Sequence, residues 1–142
     1  MKLSDSGLRL IQSREGKVMK VYKDSLGKPT AGIGHLLKPG EEKLPITEEQ
    51  VQKWFEEDIK ASVDAANNQA SNLPKCTQEL FNALVSVNFQ LGTGWTKKFT
   101  KTWGLMLDGD FDKAAFEVEN SLWAKQTPIR VRDFQRALWL SI

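Results

Sequence analysis

Glu15, Asp24 and Thr30 put two carboxyl groups and a hydroxyl into a short stretch near the start of the chain. Those residue types suit glycosidic bond cleavage. That reaction needs one carboxyl that keeps its proton to help the leaving oxygen depart, and a second, ionised carboxylate acting on the opposite face of the sugar. Glu15 falls at the end of an expected helix and Asp24 at an expected hairpin turn nine residues later, so the two can face each other across a cleft. A helix C-terminus disfavours negative charge, which suits a carboxyl that must stay protonated. Thr30, on the returning strand, offers its hydroxyl beside Asp24. Neighbouring carboxylates are common on protein surfaces, so spacing alone leaves a plain structural role open.

Two other reactive side chains compete for attention. His35 is the only histidine and Cys76 the only cysteine of the 142 residues. A lone cysteine excludes an intrachain disulfide, and its place just before a helix suits a small buried residue better than a nucleophile. No cluster of residues has metal-ligand spacing and no phosphate loop or cofactor motif appears, so no metal and no cofactor are expected.

The elements that must position these groups read clearly. Ser4 caps a first helix that Gly16 ends as a left-handed C-terminal residue, with Leu8 and Ile11 facing inward. From Val18 to Leu37 the period changes to that of a small antiparallel sheet of two or three strands, turning through Asp24-Ser25-Leu26-Gly27. Thr47 and Gln50 form a capping box, and Val51, Trp54, Phe55, Ile59 and Val63 keep a 3.6-residue period, predicting a helix to about residue 66. Beyond Asn72-Leu73-Pro74 the pattern predicts helices at Thr77–Leu91, Thr96–Leu107, Asp110–Trp123 and Pro128–Leu140. Thr77, Asp110 and Thr127 are their expected caps, and the first of these helices carries the widest apolar face. Trp103-Gly104 interrupts the second, where glycine costs about 1 kcal/mol against alanine.

Charge and composition narrow the function classes. Twenty Lys/Arg against eighteen Asp/Glu give a net charge of +2, and each half of the chain carries one excess positive charge. Neither half is therefore a basic arm, and nucleic acid is not the expected partner. Lysines 17, 20, 23, 28 and 38 surround the single acid Asp24, forming a basic lip suited to an anionic polymer or simply a solvated face. The opening residues lack the apolar run of a secretory signal, and no stretch approaches a membrane span. A product made in a cytoplasm with a target outside it would need another system for release.

Taken together, Glu15-Gly16, Val21-Tyr22-Lys23-Asp24, Gly27 and Thr30-Ala31-Gly32-Ile33-Gly34-His35 closely resemble the signature of the phage-type lysozymes, the muramidases that phages use as endolysins. Similar residues continue at Phe89-Gln90-Leu91-Gly92, Gly94, Phe99-Thr100, Asp112, Ala114-Ala115, Trp123, Gln126-Thr127-Pro128 and Arg130, so the resemblance covers nearly the whole chain. It implies an α+β, mainly α, lysozyme-like two-lobe fold in one domain. The small lobe would hold about residues 13–46 and the connecting helix about 47–66. The helical lobe would hold about 74–142 plus the N-terminal helix.

The same resemblance implies hydrolysis of the β-1,4 bond between N-acetylmuramic acid and N-acetylglucosamine in bacterial peptidoglycan, for host cell lysis. Glu15 is then the general acid, Asp24 the carboxylate that activates or orients water, and Thr30 the residue that helps hold it. The family inverts the anomeric carbon, which sets the two carboxyl groups about 6.5–9.5 Å apart rather than about 5 Å. Gln90, Trp123, Arg130 and Gly34 fall at positions near the glycan. Trp123 equally fits a core position on an amphipathic helix. A cation at Arg130 favours a charged carboxylate, whereas an acid catalyst must hold its proton. His35 is expected to pair with Asp58 in a structural role. The implied setting is a monomer made in the host bacterial cytoplasm, released by a holin and acting on the wall in the periplasm.

Two alternatives have support in the residues. A lytic transglycosylase would cut the same bond with a single Glu, and Asp24 and Thr30 argue against it. A protein that disrupts membranes without catalysis would use a C-terminal helix carrying Val131, Phe134, Leu138 and Trp139 beside Arg130, Arg132 and Arg136. The link from His35 to Thr47 is shorter than in longer family members, leaving less cover over the cleft.

Overall fold

A computed structural model describes residues 1–24 and 27–142. Ser25 and Leu26 of the expected turn lie outside the described residues. Helix α1 spans Asp5–Glu15; the Ser4 hydroxyl accepts from Gly7 N, and Gly16 closes the helix at φ 67° with its N–H on the Gln12 carbonyl. The chain then forms three short strands, β1 (Val18–Lys23), β2 (Pro29–Gly32) and β3 (His35–Leu36), in an antiparallel sheet of that order. A single 3-10 turn, Glu41–Lys43, leads to the long helix α2, Glu48–Ser71. The rest is helical: α3 (Gln78–Leu91), α4 (Trp95–Lys98), α5 (Thr100–Leu107), α6 (Phe111–Val118), α7 (Leu122–Gln126) and α8 (Pro128–Leu140). This is the lysozyme-like α+β arrangement, mainly helical with a small antiparallel sheet.

Cross-strand register decides what each face of the sheet carries. Tyr22 lies opposite Thr30 and Thr30 opposite Leu36, so one row runs across all three strands. Ala31 lies opposite His35 in the adjacent row, and that row turns toward α2. Between Val18 and Tyr22 the pairing is irregular, the signature of a bulge that bends β1.

Helix α3 is the centre of the large lobe. Leu80, Phe81, Leu84 and Val85 are fully buried, and the helix packs against α1, α2, α4 and α8. Each such side chain contributes about 1.5–3 kcal/mol relative to an exposed one. Val131, Phe134 and Leu138 of α8 are buried in the same core. Three of the four apolar residues singled out on the C-terminal helix therefore pack in its own core, while Trp139 stays exposed. No helix among the described residues is long and apolar enough to cross a membrane.

Several boundaries differ from expectation for identifiable reasons. Helix α2 runs to Ser71 rather than to about residue 66. Its last turns bury a polar side chain instead of an apolar one: Gln69 exchanges amide hydrogen bonds with Asn88 at 3.0 and 2.9 Å, which apolar periodicity does not register. The helix expected at Asp110–Trp123 is two, because α6 ends at Val118 and Ser121 caps α7 by accepting from Ala124 N. The helix expected at Thr96–Leu107 breaks at Phe99, whose ring turns inward against Trp123 at 5.9 Å. Gly104 interrupts nothing; α5 passes straight through it. Thr77 and Asp110 cap as expected, but Thr127 does not, since its hydroxyl donates to the Trp123 carbonyl instead. Cys76 is half-buried rather than fully buried.

The small sheet is fastened to α2 by a charged cluster around His35. Asp58 Oδ2 lies 2.6 Å from its Nδ1 and Glu41 Oε1 lies 3.0 Å from its Nε2, while Trp54 stacks on the ring at 4.5 Å. Glu41 also accepts from Trp54 Nε1 at 3.0 Å and from Lys38 N at 2.6 Å. A neutral imidazole has one N–H, so only the imidazolium satisfies both carboxylates. Burial pushes the ring's pKa down, but the hydrogen bonds and charges of Asp58 and Glu41 outweigh it and leave it above the ordinary 6.5. Burial pushes Glu41 up, yet the Lys38 N–H, His35 and Trp54 together leave it below the ordinary 4.5.

The raised histidine contributes stability that is complete below 6.5 and lost as pH rises through its folded value. The depressed Glu41 contributes stability present above 4.5 and lost as pH falls through its own folded value. The two coincide near pH 5.5. There His35→Asn is expected to cost about 2 kcal/mol, from charge-assisted hydrogen bonds that Asn cannot replace. The cost should shrink toward pH 9, and turnover should fall less than stability. Urea unfolding across pH checks this; a pH-independent cost would show that the charges do not matter.

Candidate active site

Glu15 is the last residue of α1, and the helix end aims its carboxyl at the junction between the sheet and α8. Two neighbours fix it there. Arg130 Nη1, from the first turn of α8, donates to Glu15 Oε1 at 2.6 Å, with both side chains largely buried. The other guanidinium nitrogen, Nη2, donates to Ser86 of α3, at 3.1 Å to the hydroxyl and 3.3 Å to the carbonyl. On the far side lies Gly34 at φ 64°, so close that a Cβ built there would overlap Glu15 Oε2 and come within 2.7 Å of its Cδ. The carboxyl is thus wedged between a guanidinium and a bare backbone.

Asp24 and Thr30 share a second anchor, Lys28, whose backbone spans the hairpin. Lys28 N donates to Asp24 Oδ1 at 2.8 Å, and Asp24 N donates to the Lys28 carbonyl at 2.9 Å. The Thr30 hydroxyl donates to that same carbonyl at 2.9 Å and is almost wholly buried. Having given its proton to Lys28, Thr30 Oγ1 meets any further partner as an acceptor.

Gln90 of α3 and Trp123 of α7 form one unit. Trp123 Nε1 donates to Gln90 Oε1 at 2.9 Å, and Gln90 Nε2 donates to Thr127 Oγ1 at 3.1 Å. Trp123 is 4% exposed and packs against Phe99 and Phe134, so its indole fills the core while Gln90 stays half-exposed. Any part Trp123 takes in holding a ligand passes through Gln90. His35 and Asp58 meet as described above, away from Glu15, on the α2 side of the sheet.

Some participants carry no signal in the sequence. Ser86, which steadies Arg130, looks like any helix serine. Glu41, which collects three donors, lies in a charged stretch that reads as solvated. Arg14 and Asp133 form a bridge at 2.8 Å beside the Glu15–Arg130 pair, joining α1 to α8 a second time across 119 residues of sequence. Among the described residues no group of three His, Cys, Asp or Glu side chains is placed to hold a metal ion.

A helix-end carboxyl, a hairpin carboxylate and a buried threonine stand beside a helical lobe in a lysozyme-like fold. The family model for phage lysozyme matches residues 12–133, and the chain belongs to the phage lysozyme family. An endolysin of Acyrthosiphon pisum secondary endosymbiont phage 1 is 34% identical over 153 residues, covering 99% of both chains. The peptidoglycan hydrolase gp36 of Pseudomonas phage phiKMV is 34% identical over 119 residues, which are 81% of this chain but only 13% of that much longer protein. A probable T4-type lysozyme 2 of Dictyostelium discoideum is 28% identical over 147 residues, 85% of this chain and 86% of its own.

Gly34→Ala tests the wedge. The added methyl both strains a left-handed backbone and displaces the Glu15 carboxyl, and a misplacement of about 1 Å can cost on the order of a hundredfold in rate. Bacterial wall turbidity should clear about a hundredfold more slowly, with thermal unfolding still cooperative. Undiminished clearing would mean that Glu15 does not need its observed position.

Proposed function

We propose that this chain is an endolysin that hydrolyses the β-1,4 bond between N-acetylmuramic acid and N-acetylglucosamine, with inversion at the anomeric carbon. What supports this is Glu15, wedged between Arg130 and Gly34, together with the Lys28-anchored Asp24 and Thr30.

Glu15 acts as the general acid through Oε2, the oxygen that Arg130 does not hold and that fills the space a side chain at position 34 would take. Proton transfer to the leaving oxygen is worth about 10²–10⁴ in rate. The attacking water gives one proton toward Asp24 and the other toward Thr30 Oγ1, an acceptor because its own proton is committed to Lys28. Both water protons are then directed away from the anomeric carbon, and a lone pair faces it. Gln90 supplies an amide at the cleft, with Trp123 locking its orientation. A single domain acting as a monomer, with a holin releasing it from the host cytoplasm, completes the proposed setting.

Glu15→Gln and Asp24→Asn should each abolish hydrolysis of purified peptidoglycan while leaving cooperative unfolding intact. The wild-type product should be a reducing sugar released as the inverted anomer, read by proton NMR before mutarotation. An anhydro sugar would instead identify a lytic transglycosylase, and full activity in Glu15→Gln would end the assignment.

A further inference from the structure

We propose that Ser86 is a positioning residue of this reaction: by holding one terminal nitrogen of Arg130, it limits the guanidinium to a single oxygen of Glu15 and leaves the other for the proton. The proposal rests on the acid role given above for Glu15, and adds to it a residue that acts through Arg130.

Its basis is a chain of hydrogen bonds from α3 through α8 to α1. A guanidinium facing a carboxylate commonly engages both oxygens through two parallel N–H bonds. Arg130 does not. Its Nη1 donates to Glu15 Oε1 at 2.6 Å, while Nη2 donates to the Ser86 hydroxyl at 3.1 Å and to the Ser86 carbonyl at 3.3 Å. Nη2 carries two hydrogens and meets two acceptors of one residue, which together can occupy it fully. The direction of the hydroxyl is itself informative. A serine inside a helix often turns back to the carbonyl four residues earlier. Ser86 lies well inside α3, yet its hydroxyl faces α8 and accepts from Arg130. Because Arg130 is buried, solvent is a poor substitute for that acceptor.

The charges around Glu15 make the count of bonds matter. Arg130 of α8 touches it directly, and the Arg14–Asp133 bridge joins the same two helices beside it. Tyr22 of β1 is near enough that burial, and then the charge of Glu15, hold its phenol above the ordinary tyrosine range. A second guanidinium bond, on Oε2, would favour the ionised carboxylate, the form that has no proton to give. One bond holds the acid in place; a fork on both oxygens would hold it charged.

Ser86→Ala separates this role from packing, because alanine is the best helix former and only the hydroxyl oxygen is lost. The unfolding midpoint should hold or rise slightly. Hydrolysis of a soluble glycan fragment should lose on the order of tenfold in kcat at unchanged KM, as Nη2 turns from position 86 to Glu15 Oε2. The alkaline limb of the kcat profile, where the acid loses its proton, should move to lower pH. Ser86→Thr keeps a hydroxyl and should restore both. In an Arg130→Lys background, whose ammonium has no fork, Ser86→Ala should cost much less than it does alone. Unchanged kcat in Ser86→Ala, an alkaline limb that stays in place, full additivity with Arg130→Lys, or a Ser86→Thr enzyme as slow as Ser86→Ala at wild-type stability would each overturn the proposal. Glu15→Gln serves as the control: if it stayed active, the acid assignment itself would fall, independently of Ser86.

Discussion

The contact between Glu15 and Arg130 carries more of this molecule than any other polar pair. It joins the end of α1 to the start of α8 and presses a carboxyl against Gly34 of the sheet lobe. Three separate parts of the chain therefore agree on the position of one functional group. Breaking such a buried pair by removing one partner strands a charge away from water, at a cost of about 3–5 kcal/mol. Its value lies more in definition than in net stability. A guanidinium held by Ser86 on one nitrogen can point the other in only one direction.

The role proposed for Glu15 also requires an acid to work beside a cation. Arg130 engages Oε1, and its charge is shared with the Ser86 hydroxyl and carbonyl. The proton and the guanidinium need not compete for one oxygen. On the hairpin, Lys28 holds Asp24 and Thr30 through its backbone, so the proposal needs nothing of its ammonium. The two halves of the proposed site are each pinned by a group to which the proposal assigns no chemistry.

Much of this was legible in the residues. The caps at Ser4, Thr47 and Thr77, the glycine stop at Gly16 and the change of period after it delimit the elements well, because short-range rules govern them. The helix splits at Phe99 and after Val118 were not legible, since a ring seeking a distant core and a serine taking a cap look ordinary in a local window. Glu15, Asp24 and Thr30 were singled out by the family resemblance, because their spacing alone left a structural role open. Ser86, Glu41 and the Gln69–Asn88 pair were not, because a buried polar group is recognised by its partner, and those partners lie far away in sequence. Trp123 shows the reverse case: the resemblance places it near the glycan, while its burial fits the core position its helix equally allowed.

The 115 residues between Glu15 and Arg130 also have a temporal meaning. A ribosome adding about 5–20 residues per second leaves roughly 6–23 s between the two side chains. Throughout that interval the nascent chain has a carboxyl and a hairpin but no guanidinium to set them. The Glu15 carboxyl therefore reaches its final setting only when α8 docks beside α1, long after the hairpin has been made.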